Sequence, residues 1–331
     1  MYLADTSRYD NMVYNRLGNS GLKLPAVSMG LWHNFGYLNS QEDMIKILCH
    51  CFDQGITHFD LANNYGPEPG AAETNFGLIM KHYLRPYRDE LIISTKAGFT
   101  MWDGPYGDFG SRKYLLASLD QSLKRMGLEY VDIFYSHRMD EETDLEETMG
   151  ALASAVQQGK ALYVGLSNYD GPTLQRATEI LRETHTPFVI NQNRYSIYDR
   201  TIERNGLKDK AQELKKGIIS FSPLAQGLLS DRYLNGIDAD SRVKHDGRFL
   251  TEEDVKKYHA SIVKLNQIAK ERGQSLAQMA LAWVLRDGAV ASVLVGVSKV
   301  SQIDDNLKAL ANTSFTAEEL QAIDEACAGL I

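Results

Sequence analysis

Four side chains in this sequence have the types needed for one reaction: Asp60, Tyr65, Lys96 and His137. Asp60 and Tyr65 fall in "FDLANNYGPEPG", Lys96 ends "LIISTK" and His137 ends "YVDIFYSH", so each stands where a short apolar run turns polar. A phenol titrates near pH ~10 and donates its proton readily at neutral pH only where a neighbouring ammonium favours the phenolate; a buried ammonium in turn needs a carboxylate. A chain from Asp60 to Lys96 to Tyr65 supplies both. A phenol tuned in this way can protonate a carbonyl oxygen as hydride reaches the carbon, while His137 donates a second hydrogen bond to the same oxygen. The chemistry expected is carbonyl reduction. Taken singly, an Asp near a Tyr reads as a turn and a packing residue, so the expectation depends on separate strand ends meeting in space.

The elements that would bring them together recur along the chain. Eight short apolar runs, "AVSMG", "THFD", "LIISTK", "YVDIFYSH", "ALYVGLS", "PFVINQ", "GIISFS" and "SVLVG", alternate with amphipathic stretches. The helical stretches carry start signals such as Ser111 and stop signals such as Gly127 and Gly159. Parallel strands need crossovers, so the alternation predicts an α/β fold of the (β/α)8 TIM-barrel type, one domain over residues 1–331. A doubly wound open sheet is the alternative, but its G-x-G-x-x-G fingerprint does not occur. A hairpin at "YNRLGNSGLKLP", turning at Asn19-Ser20-Gly21, precedes the barrel, and an extra helix from about Thr316 follows it. Long loops after the third and seventh strands are candidate pocket walls, because such barrels build sites at the C-terminal ends of their strands.

Composition narrows the partners. The chain has 331 residues, 44% hydrophobic, with formal charge −8 and no long basic run, which argues against nucleic acid or an anionic membrane as partner. A small-molecule substrate is the expected partner. Cys49 and Cys51 flank His50, but positions two apart on a helix point about 200° from each other, so no metal site is expected. With Cys327 far away there is no disulfide framework, which suits a reducing compartment. Neither a leader-like N-terminus nor a window of ~18 apolar residues is visible, and a cytoplasmic location is expected.

The strand ends "FDLANNYG", "STKAG", "YSHR" and "GLSNY" resemble those of the aldo-keto reductases, in order and from about Tyr14 to the C-terminus. That resemblance places the family's catalytic tetrad on Asp60, Tyr65, Lys96 and His137. Within the superfamily, "GLWHNF", "GPYG", "GSRKYLLASLDQSLKRMGLEYVDIFYSHR" and "PLAQGLL" are most similar to the bacterial L-glyceraldehyde 3-phosphate reductases, relatives of the potassium-channel β subunits. It implies reduction of small aldehydes such as L-glyceraldehyde 3-phosphate and methylglyoxal, NADPH as hydride source, and a homo-oligomer, often a tetramer or larger.

The cofactor positions implied are then specific. Ser167, Asn168 and Gln192 match the residues that hold the nicotinamide carboxamide, and Phe221 matches the aromatic stacked on the ring, where Tyr or Trp is commoner. Ser222, Leu224 and Gly227 match the loop along the pyrophosphate, with Arg232 and Arg242 as cations near the phosphates. Gly296, Ser298, Gln302, Asp305 and Asn306 match the turn around the adenosine 2′-phosphate and adenine, where helix amides suit an anion. Gln302 departs from the Arg or Lys of many relatives, which weakens the grip on the 2′-phosphate unless Ser298, Lys299 and Arg242 compensate. Trp32 is a candidate contact for both cofactor and substrate, and His33, Trp102 and His137 are candidate substrate contacts; the tryptophans could equally serve an oligomer contact.

Other residues read more plainly. His58 shares the inward face with Asp60 by period two and reads as a hydrogen-bonded interior residue. The acidic run "DEETDLEET" after His137 reads as a solvated helix start in a favourable dipole. Two rival functions stay open. One is a cofactor-sensing regulatory subunit like the channel relatives, which carry asparagine at the position of His137 and a long N-terminal tail. The other is a Schiff-base aldolase using Lys96, which Asp60 opposes by holding Lys96 charged; a glycosidase would need a facing pair of carboxylates.

Overall fold

Each of the eight apolar runs forms a strand. In the computed structural model, which describes residues 2–66, 68–237, 243 and 250–331, a two-stranded hairpin precedes a closed barrel. The hairpin pairs β1 (Tyr14–Arg16) with β2 (Lys23–Pro25). The barrel strands are β3 (Val27–Gly30), β4 (His58–Asp60), β5 (Ile92–Ala97), β6 (Val131–Ser136), β7 (Ala161–Ser167), β8 (Phe188–Arg194), β9 (Gly217–Phe221) and β10 (Ser292–Val295). They pair in parallel in chain order, and β10 closes on β3 with Val293 opposite Val27 and Val295 opposite Met29. The fold is the expected (β/α)8 barrel.

Helices α1 (Gln41–Asp53), α2 (Ala71–Ile79), α3 (Arg112–Met126), α4 (Leu145–Gln157), α5 (Gly171–Glu183), α6 (Thr201–Arg204) and α7 (Leu207–Glu213) follow the strands. Later come α8 (Glu252–Glu271), α9 (Leu276–Leu285), α10 (Val300–Leu307) and α11 (Ala317–Ala326). Their limits follow local chemistry: the Ser111 hydroxyl accepts from Tyr114 N at the start of α3, and Gly127 ends that helix in the left-handed conformation. Thr316 opens the added α11 through a capping box with Glu319, whose carboxylate also receives Arg272 at 2.5 Å.

The core has two layers. Between barrel and helices lies a continuous apolar shell, with Phe59 and Phe76 and, farther round, Leu152 and Trp283. Inside the barrel, Leu17 and Leu24 of the hairpin pack with Ile133, Ile190, Ile219 and Leu294, and this plugs the N-terminal end. Gly165 makes room there, since a Cβ on it would fall 2.3 Å from the Tyr135 ring. The hairpin turn closes earlier than its sequence suggests. Ser20 N donates to Leu17 O at 3.0 Å and Gly18, at φ 55°, takes the left-handed position.

The acidic run does more than face solvent. Asp140 Oδ2 accepts from Gly110 N at 3.0 Å and Glu147 Oε1 from Arg112 N at 2.9 Å, while Thr148 donates to Gly110 O at 2.9 Å. These bonds tie the start of α3 to the start of α4. They therefore anchor one end of the loop after β5, and Arg138 ties its start to that end through Gly98 O at 2.7 Å and Asp108 Oδ1 at 2.6 Å.

Candidate active site

At the C-terminal end of the barrel, period-two alternation points Asp60 of β4 and Lys96 of β5 into the same interior space. The two form an ion pair with relative exposures of 1% and 0%, and Lys96 Nζ also donates to Leu61 O at 2.6 Å. Asp60 Oδ1 accepts from Ser94 Oγ at 2.6 Å and from Gln192 Nε2 at 3.1 Å. The carboxylate is thus fastened by three side chains from β5 and β8, as a buried charge requires.

Tyr65 reaches the same space from the loop. Pairing of β4 with β5 continues past Asp60 through Leu61 N to Ser94 O and Asn63 N to Lys96 O, both at 2.9 Å, before Tyr65 N turns back to Ala62 O. Asn63 Nδ2 donates to Tyr114 OH at 2.9 Å, which fixes the turn to α3. Tyr65 then lies with Lys96 Nζ 4.8 Å from its ring centroid and the His137 ring edge-on at 5.8 Å. The four predicted catalytic side chains meet.

Their electrostatics differ from the sequence expectation in one respect. Lys96 stands over the Tyr65 ring face and gives its hydrogen bonds to Asp60 and Leu61, so the phenol is not pulled down. Burial, with the charge of Asp60 behind it, pushes Tyr65 well above the ordinary phenol range. Tyr65 therefore holds its proton until a substrate arrives. Burial also lowers Lys96 from the usual ammonium value, against the opposing pull of Asp60. His137 is held well below the usual imidazole range by burial and then by Lys96 and Arg138, so it is neutral and has one N–H to donate.

A cavity of about 540 Å³ opens beside this group. It brings together Trp32, His33, Asp60, Tyr65, Gln192, Phe221, Ser222, Leu224, Gly227, Arg232, Gly296, Ser298 and Gln302. The remaining predicted positions lie elsewhere: Ser167 is buried at the end of β7, and Asn168, at φ 59°, donates to His137 O at 3.0 Å. Trp102 packs on Tyr114 with ring centroids 5.2 Å apart, away from the cavity lining. Asp305 accepts from Gln278 of α9 at 2.8 Å, and Asn306 is buried. Arg242 falls outside the described residues. Among the described residues, no group of three or more His, Cys, Asp or Glu is placed to hold a metal ion, and no helix is long and apolar enough to cross a membrane.

Gln302 has an unexpected place. Its Oε1 accepts from Ser298 N at 2.8 Å, Lys299 N at 3.2 Å and Ser298 Oγ at 3.3 Å. The amides ahead of α10 that an anion would use are thus capped by a neutral side chain.

The aldo/keto reductase family model matches residues 26–328 of the chain. The chain belongs to that family. L-glyceraldehyde 3-phosphate reductase of Escherichia coli (strain K12) is 55% identical to it over 333 residues, covering 98% of this chain and 95% of the relative. The protein of the same name from Escherichia coli O157:H7 matches to the same extent. Membership makes the reductase an oxidoreductase, of a family that works with nicotinamide dinucleotides.

Several lining residues of the reductase escaped the sequence reading: Gly30, Asn34, Gln226, Ser230 and Val295. Gly30 and Val295 end neighbouring strands and could have been found by carrying the strand-end rule to β3 and β10. Asn34 and Gln226 could not, because each is a non-glycine residue in the left-handed region, at φ 68° and 60°. Asn34 there donates to Val297 O at 3.1 Å and joins the loop after β3 to the end of β10.

Proposed function

We propose that the reductase reduces small aldehydes, with L-glyceraldehyde 3-phosphate and methylglyoxal as leading substrates, NADPH as hydride source and Tyr65 as proton donor. The observation that carries this reading is the meeting of Tyr65 with His137, ring centroids 5.8 Å apart, over the buried Asp60–Lys96 pair. The names of the relatives support the choice of substrate.

The residues present suit a nicotinamide dinucleotide. The cavity offers the Phe221 ring, the amide of Gln192, the cations Arg232 and Lys299, and the α10 amides now capped by Gln302. Ser167 and Asn168, next to His137, would join Gln192 in holding the carboxamide. When bound, the reduced nicotinamide supplies the hydride.

The side chains do the rest. His137 donates its N–H to the aldehyde oxygen and orients it, and Tyr65 transfers its proton to that oxygen as negative charge develops. The phenolate left behind forms beside the Lys96 ammonium, whose position over the ring is fixed by Asp60 and Leu61 O. Trp32 and His33, with ring centroids 4.1 Å apart, line the cavity beside Tyr65. Oxidation of NADPH and NADH, followed against both enantiomers of glyceraldehyde 3-phosphate, methylglyoxal and an aromatic aldehyde, tests the reading. Fastest turnover with the L enantiomer and NADPH is expected, and no turnover with any aldehyde would reject it.

A further inference from the structure

Below the tetrad the barrel interior is polar where the hairpin plug ends. Ser292 Oγ lies 2.6 Å from Ser28 Oγ, Ser28 Oγ lies 2.9 Å from His58 Nδ1, and His58 Nε2 lies 3.0 Å from Ser94 Oγ. Ser94 Oγ is 2.6 Å from Asp60 Oδ1. The chain of contacts draws one or two residues from each of β10, β3, β4 and β5, and all five are buried.

The direction of this chain is set by its upper end. A carboxylate only accepts, so Ser94 donates to Asp60 and its own lone pair must accept a hydrogen bond from His58 Nε2–H. His58 Nδ1 then accepts from Ser28, which accepts from Ser292. Neutral His58 with its proton on Nε2 satisfies every link, and burial lowers His58 to about 4 from its ordinary 6.5, which keeps it neutral. Apolar residues of similar volume would fill this space with less desolvation, so stability alone does not account for the choice.

We propose that His58 is a positioning residue for the tetrad: through Ser94 it pins Asp60 Oδ1, leaving the other carboxylate oxygen to hold Lys96 over the Tyr65 ring. The proposal rests on the catalytic reading of Tyr65 given above. The groups that face this centre are Lys96 on β5, Tyr65 after β4, Tyr135 on β6, His137 just after it and Gln192 on β8, while Glu73 on α2 also acts on Lys96. Gln192 and Ser94 donate to Asp60 Oδ1, and Ser94 is held by His58.

If Ser94 turns away, Asp60 swings, Lys96 loses part of its anchor and the phenolate becomes harder to form. Turnover near neutrality then falls. For His58→Leu and Ser94→Ala we expect kcat reduced about tenfold, with KM for NADPH within about twofold. His58→Gln can accept from Ser28 and donate to Ser94, and should restore most of the turnover.

The experiment measures kcat and KM against pH for these variants and the parent protein, together with NADPH affinity by fluorescence and thermal midpoints. A kcat like the parent's in both His58→Leu and Ser94→Ala, with only the thermal midpoint lowered, overturns the proposal. Should His58→Leu fail to fold, Ser94→Ala decides alone. Tyr65→Phe is run alongside: if it keeps its turnover, the catalytic reading fails, and that outcome is distinct from an unchanged kcat in the other variants.

Discussion

The two ends of the cavity are built by different means. At the chemical end Asp60, Lys96 and His137 stand at strand ends whose direction is fixed by barrel register, and hydrogen bonds from Ser94, Gln192 and Leu61 O leave little freedom. At the end proposed for the dinucleotide, Ser222, Ala225, Gln226 and Gly227 all have positive φ, at 52°, 47°, 60° and 97°, and Gln302 caps backbone amides that a phosphate would need. Charge that must react is held by the sheet, and charge that must be bound meets loops. Damage at the first end should therefore appear in stability and turnover, and damage at the second in affinity.

The largest effect should follow from Asp60→Asn. It leaves Lys96 in a fully buried site with neutral acceptors and no counter-charge, and breaking a buried pair costs about 3–5 kcal/mol. Chemical denaturation should register that loss along with the loss of turnover. A midpoint like the parent's would show that the pair is less confined than its burial implies.

Acid should act on the same end. An imidazole held at about 4 in the folded chain and 6.5 when unfolded binds its proton first in the unfolded state, so the stability that neutral His58 supports is present above pH 6.5 and lost as pH falls towards 4. The loss amounts to about 3 kcal/mol, and the lowered His137 adds in the same direction. Denaturant midpoints at pH 7, 5 and 4 should fall steeply, and His58→Gln should flatten the fall.

Gly165→Ala separates packing from charge. Its Cβ would meet the Tyr135 ring at 2.3 Å, and overpacking of this kind costs about 1–3 kcal/mol. The thermal midpoint should drop with dinucleotide affinity unchanged.

The smallest effect belongs to the other end. Gln302→Arg uncaps the amides of Ser298 and Lys299 and adds a cation, and should raise the preference for NADPH over NADH about tenfold with kcat unchanged. Equal affinities of the variant for both dinucleotides, by fluorescence titration, would remove Gln302 from the selectivity.

The same contrast explains what could be read from the sequence. Strand runs and their polar ends are local and periodic, so all eight barrel strands and the meeting of Asp60, Lys96, Tyr65 and His137 were legible. What stayed hidden depends on side chains choosing partners across the fold. Lys96 over the ring face of Tyr65 rather than on its hydroxyl, Asp305 turned to Gln278, and Asp140 holding Gly110 are examples. The left-handed Asn34 and Gln226 are a further kind, because nothing in a non-glycine residue announces that conformation.

The central claim is that Tyr65 is the proton donor on a rigid charged support. It is tested most directly by NADPH oxidation with L-glyceraldehyde 3-phosphate in Tyr65→Phe, with NADPH binding measured on the same preparation. A loss of about 10²–10⁴ in kcat with binding intact is the result expected. Turnover near that of the parent protein would contradict it.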